Sequence, residues 1–221
     1  ENASRYDLIL CADDEIIDSC PNAMLFPYGS TWLNRGKLNH PDGLGYFDPE
    51  VHTFDKKDRS INDVSFLASW YDTDRQGYGI RKEVWDRQEE ITIPIMFHTS
   101  RKSFLNAPNP LPTGEKEDLF YSMFHICIEN QSVRHYFTEK LIDSFLTYTI
   151  PVYWGCPNIG SYFHTEGMIL FDTVDELIPK LNELTYETYY DRLVFVEKNR
   201  KIAESYANFG ERIFEVISTK L

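Results

Sequence analysis

HICIENQSVRHYFTEKLIDSFLTYTIPVYWGCPNIGSYF, residues 125–163, decides the fold. The apolar run Phe124-His125-Ile126-Cys127-Ile128 stops at the polar pair Glu129-Asn130, the pattern of a buried strand running into a loop. Thr138 can cap a helix whose apolar positions Leu141, Ile142, Phe145 and Leu146 recur at helical spacing. Ile150-Pro151-Val152-Tyr153-Trp154 then reads as the next buried strand, closed by a glycine turn at Gly155. Together these form one βαβ unit. Its polar loop lies at the carboxyl end of the first strand, beside a helix N-terminus, where free N–H groups and the helix dipole favour an anion. Ligand-binding residues are therefore expected between Glu129 and Lys140.

Outward from this unit the alternation continues. VSFLASW reads as strand, IRKEVWDRQ as helix, IPIMFH as strand, MILF as strand and VDELIPKLNEL as helix. The fold class is α/β, a Rossmann-like doubly wound parallel sheet. Before it, Tyr6-Asp7-Leu8-Ile9-Leu10 reads as a strand, and Gly29 to Arg59, rich in Gly, Asn, Asp, Pro and His, reads as an irregular connector. The expected division is a partial N-terminal lobe and connector over 1–60 and a second domain over 61–221. The helical tail from Tyr186 carries apolar positions including Tyr190, Leu193, Val194 and Val196, and is expected to pack across both parts.

Composition excludes several classes. A formal net charge of −13 and a pI near 4.9 argue against nucleic acid or an anionic membrane as the main partner, so any phosphate site must be local. The longest apolar run falls short of a bilayer span, and neither a transmembrane segment nor a leader is expected. The four cysteines, Cys11, Cys20, Cys127 and Cys156, form no C-x-x-C pair. Cys127 and Cys156 read as buried thiols inside strands, which implies a reducing, cytoplasmic location, with membrane association only through segments this chain does not contain.

Particular residues carry the chemistry. Arg81 follows Gly77-Tyr78-Gly79-Ile80 and reads as the opening of a helix, where a guanidinium could fork onto a pyrophosphate; an exposed, salt-bridged arginine would read the same. In the first turn after Thr138, Glu139 gains from the helix dipole and Lys140 does not. A lysine placed there points to an anionic ligand, and its replacement is expected to leave the fold intact. The pair suits a nucleotide diphosphate sugar, the carboxylate accepting from ribose hydroxyls and the ammonium facing the diphosphate. Glu129 reads either as a support behind the site or as an acceptor for backbone N–H groups, and Gly155 as a turn or a close approach to ligand. Asp72-Thr73-Asp74 matches a D-x-D pattern able to hold a divalent metal, although solvated loop aspartates read alike. The six histidines show no ligand spacing, and no metal site is expected.

The segments ENQSVRHYFTEK and IPVYWGCPNI, with Glu-Asn, a short spacer, Tyr-x-Thr-Glu-Lys and then Pro-Val-x-x-Gly, resemble the donor-sugar motif of the family-ten α-1,3-fucosyltransferases. YDLILCADDEI with AMLFPYG resembles the end of that family's first lobe, and VSFLASW with GYGIRKEVWDRQ the opening of its second, so the resemblance covers most of Tyr6 to Phe171. It implies a GT-B type C-terminal lobe that binds GDP-fucose or a related nucleotide sugar, with Arg81, Asn130, Tyr136, Glu139 and Lys140 around the donor. Glu129 and Gly155 stand at its margin. The implied reaction is inverting transfer of fucose to a hydroxyl of an acceptor glycan, with no cofactor and no metal. The general base is not assignable in this sequence. Two alternatives remain: a catalytically incomplete module that binds the GDP-sugar, and a metal-dependent transferase using Asp72 and Asp74 with another sugar nucleotide.

Overall fold

The structure is a computed structural model that describes residues 3–33, 47–49, 54, 64–71, 74–100, 109–111 and 116–220. Most of the expected connector, and Asp72 with Thr73, lie outside the described residues. The chain opens with β1 (Ile9–Cys11), α1 (Asp14–Ser19) and β2 (Ala23–Leu25), a short parallel pair joined by a helix that Asp13 caps through Ile16 N. The first strand begins three residues later than its apolar run suggested; Tyr6 is exposed and Ala3–Arg5 forms a 3-10 turn.

The main sheet follows: β3 (Val64–Ala68), α2 (Gln76–Asp86), β4 (Ile95–Thr99), β5 (Phe124–Ile128), α3 (Glu139–Leu146), β6 (Ile150–Trp154) and β7 (Ile169–Leu170). All pairings are parallel and the spatial order is β4-β3-β5-β6-β7. Every residue of β5 and β6 is buried, which is why both read as continuous apolar runs and not as alternations. Helices α4 (Val174–Asn182), α5 (Tyr186–Ala207) and α6 (Phe209–Lys220) complete the chain. Among the described residues no helix is long and apolar enough to cross a membrane.

The tail's buried stripe differs from the expected one. Of the expected positions Val196 is buried and Leu193 packs against the core, whereas Tyr190 and Val194 are exposed and Tyr189, Arg200, Ala203 and Ala207 face inward in their place on the helix that contacts α3. At the end of α5 the chain grips the N-terminal segment: Thr31 N–H donates to Ala207 O, Arg212 donates to Gly29 O and Pro27 O, and its guanidinium lies over the Phe26 ring.

All four cysteines are free thiols, and Cys156 sits in the turn after β6 and not inside a strand, because Gly155 ends the ladder. Burial pushes the Cys127 thiol up to about 12 and raises that of Cys156. A thiol reagent is expected to label Cys20 in the native protein and Cys11, Cys127 and Cys156 only on unfolding, as counted by mass spectrometry. Fast native labelling of Cys127 would contradict the burial of β5.

Candidate functional site

The chain leaves β3 toward β4 on one side and returns to β5 on the other, so β3 and β5 flank the topological switch point, where doubly wound sheets bind ligands. A cavity of about 270 Å³ opens there. Ser69 and Tyr71 border it from the end of β3, Tyr78 and Arg81 from α2, Asn130 from the end of β5, and Glu139 and Lys140 from α3.

Two helix starts converge on Glu129-Asn130. Glu129 is fully buried, and its carboxylate accepts the Thr138 N–H at 2.8 Å and the Thr138 hydroxyl at 2.7 Å, so it caps α3 from the neighbouring strand end. Glu129 thus accepts from backbone, and its 3.7 Å approach to the Lys140 ammonium also puts it behind the site, so the two readings are not exclusive. Gly77 N–H donates to Asn130 O at 3.1 Å, and a Cβ on Gly77 would stand 1.8 Å from Glu129 O. That approach places α2 on β5. The helix consequently begins at Gln76, and Arg81 lies in its second turn instead of opening it. No side chain caps this start, so the sequence held no local marker for it.

Arg81 is 2 % exposed. Its Nε and Nη2 donate to Ile128 O, Nη2 also to Asn130 Oδ1 at 2.9 Å, and Nη1 to Ser69 O at 3.2 Å. These bonds occupy all but one of the guanidinium N–H groups. The expected fork is therefore spent on clasping the ends of β3 and β5, and Arg81 offers the cavity its charge and one N–H.

Lys140 is the clearest departure from the sequence reading. Its ammonium lies 3.0 Å from Glu139 Oε1, 3.7 Å from Glu129 Oε2 and 3.2 Å from Thr138 Oγ1. The unfavourable dipole is outweighed by two buried carboxylates, so Lys140 is held by the fold as well as presented to the cavity. Burial alone would raise Glu139, but Lys140 and Lys116 beside it hold its carboxyl at about 2. Burial raises Glu129, against the pull of Lys140. An ionised acceptor thus faces the cavity and a protected carboxylate stands behind it.

The remaining predicted residues lie around this centre. Tyr136 does not line the cavity; it is half-buried beside the loop, meets the Tyr28 ring edge-on at 6.1 Å, and desolvation raises its phenol. Gly155 is a packing glycine: a Cβ there would stand 2.6 Å from Glu129 Cγ and from the Tyr153 hydroxyl. Asp74 is exposed in a bend, and among the described residues no group of three or more His, Cys, Asp or Glu side chains gathers.

No protein-family model matches the chain. Over 81 residues it is 34% identical to the α-(1,3)-fucosyltransferase FucT of Helicobacter pylori, a match covering 35% of this chain and 17% of that relative. Over that segment the chain is homologous to an α-1,3-fucosyltransferase. Its fold agrees: a solved α1,3-fucosyltransferase superposes over 90% of this chain and 61% of its own with a TM-score of 0.55 at 23% identity. Structures of an α1,3-fucosyltransferase with GDP-fucose and with GDP superpose at TM-scores of 0.55 and 0.54, at 22% and 21% identity, each over 63% of its own length. The parallel sheet is thus a Rossmann-like sheet of the GT-B type. The chain spans less than two thirds of the solved relatives it matches.

Sequence reasoning missed four residues at the site of this homologue. Lys116 and Trp32 line the cavity, and Asp143 and Thr31 support it from behind. The bonds of Thr31 and Trp32 to Asp143 cross more than a hundred residues, Lys116 meets them from a third stretch of chain, and none of these contacts leaves a periodic signal. His125, also in the lining, donates or accepts through Nδ1 with the Ser65 hydroxyl at 2.8 Å, and burial holds it at about 3, a neutral strand residue.

Proposed function

We propose that this chain is the donor-binding part of a glycosyltransferase that moves fucose from GDP-fucose to a hydroxyl of an acceptor glycan, with inversion and without a metal. One observation carries the reading: in a chain of net charge −13, Arg81, Lys116 and Lys140 meet at a cavity on the topological switch point, beside an ionised Glu139. Such a site suits a ligand that is anionic at its diphosphate and rich in hydroxyls at its ribose. Glu139 accepts from the ribose, and Lys140 with the charge of Arg81 stabilises the diphosphate as it departs. The acceptor oxygen attacks the anomeric carbon as the bond to diphosphate breaks, and its proton passes to a base that none of the described residues identifies. The fucosyltransferase crystallised with GDP-fucose supports the choice of donor.

The test is release of GDP from GDP-fucose in the presence of a panel of oligosaccharides, with and without a chelator. Transfer that survives chelation is expected, because the cations of the site supply the charge a divalent ion supplies elsewhere. Donor binding with no transfer would make the chain a GDP-sugar-binding module. Transfer that chelation abolishes and magnesium or manganese restores would move the diphosphate site to Asp72 and Asp74.

A further inference from the structure

Lys116 stands where two distant parts of the chain meet. It opens a 3-10 helix over Lys116–Tyr121, and its side chain is 17% exposed. Its ammonium lies 3.7 Å from Glu139 Oε1, 3.9 Å from Asp143 Oδ2 and 4.4 Å from the centre of the Trp32 ring. Asp143 is fully buried and anchors the segment that carries Trp32: it accepts the Thr31 hydroxyl at 2.6 Å and the Trp32 N–H at 3.1 Å. The Thr31 hydroxyl in turn accepts from Leu33 N–H. One cation therefore touches the carboxylate that faces the cavity, the carboxylate that seats a remote segment, and the ring that segment brings to the cavity wall.

We infer that Lys116 is a positioning residue of this cavity, tying the placement of Glu139 to the seating of the Thr31–Leu33 segment. The inference rests on the reading of the cavity as a nucleotide-sugar site. Glu139 and Asp143 are one helical turn apart on α3 and of like charge, so a cation between them is what allows both to face inward. Around Glu139 stand Lys140, Lys116, Arg81, Glu129 and Tyr136; around Asp143 stand Lys116, Glu139, the Thr31 hydroxyl and the Trp32 N–H. With Lys116 in place Glu139 is held at about 2, while burial pushes Asp143 up to about 7. Without it, both carboxyls rise, the bonds from Thr31 and Trp32 lose their charge assistance, and the Trp32 segment loosens.

The experiment compares wild type, K116M and K116R in the ligand-free chain. Side-chain carboxyls are titrated by NMR, and Trp32 exposure is followed by acrylamide quenching against W32F counterparts. In K116M the Glu139 carboxyl is expected to titrate about one pH unit higher or more, with Trp32 more readily quenched, and K116R should restore both. K116Q is read in the same way should K116M fail to fold. Unchanged Glu139 titration and unchanged quenching in K116M or K116Q would overturn the inference. Titrations with GDP keep the two claims apart: a wild-type chain that ignores GDP fails the functional reading, and the carboxyl and tryptophan results still decide Lys116.

Discussion

Replacing Gly77 by alanine is expected to destabilise the protein by about 3 kcal/mol and to abolish nucleotide binding. The new methyl group would stand 1.8 Å from Glu129 O, a backbone atom fixed by β5 and by its neighbours, so α2 must move away as a unit. Overpacking typically costs about 1 to 3 kcal/mol, and a clash with backbone belongs at the top of that range. The displacement would break the Gly77 N–H bond to Asn130 and draw Arg81 out of its clasp on Ile128, Ser69 and Asn130. Gly79 is the internal control. A Cβ there meets nothing within 4 Å, so Gly79→Ala should be neutral or stabilise by roughly 0.5 to 1 kcal/mol. Urea unfolding of the two variants checks this directly, and equal stabilities would contradict the packing of α2 on β5.

The second large effect is at Lys140. Alanine there leaves Glu129 and Glu139 facing each other inside the protein without their shared cation, at side-chain exposures of 0% and 7%. Breaking a buried pair costs about 3 to 5 kcal/mol; the lower end applies because the Lys140 side chain is 23% exposed. The dipole argument alone leads to an intact fold, and the contacts of the ammonium reverse that expectation. Combining Lys140→Met with Glu129→Gln should recover part of the stability, since no unpaired charge then remains at Glu129, while nucleotide binding stays lost. If Lys140→Ala alone melts as the wild type does, the ion cluster contributes nothing and Lys140 is a solvated side chain.

How far these features were legible follows from how local their causes are. The β5–α3–β6 unit was readable because its strands are buried on both faces and its helix begins at a threonine whose hydroxyl accepts from Lys140 N. Of the residues expected in and beside its loop, Asn130, Glu139 and Lys140 line the cavity and Tyr136 does not. The start of α2 was not, since a contact between Gly77 and Glu129 sets it and no capping side chain marks it. The charge environment of Lys140 was equally hidden: Glu129 is eleven residues away in sequence and comes within reach only when β5 and α3 pack. Lys116, Asp143 and Trp32 form a cluster assembled from three separate stretches, and nothing in any one of them signals the others. What periodicity and capping encode was visible, and what tertiary approach encodes was not.

The central claim is that the cavity between β3, β5 and the starts of α2 and α3 takes a guanosine diphosphate without a metal. Calorimetric titration of the wild-type chain with GDP in the presence of a chelator, with UDP as the comparison, tests it most directly. The account predicts saturable binding of GDP that chelation leaves unchanged, weaker binding of UDP, and loss of the GDP signal in Lys140→Ala. Equal affinity for both nucleotides, or GDP binding that appears only when a divalent cation is added, would contradict it.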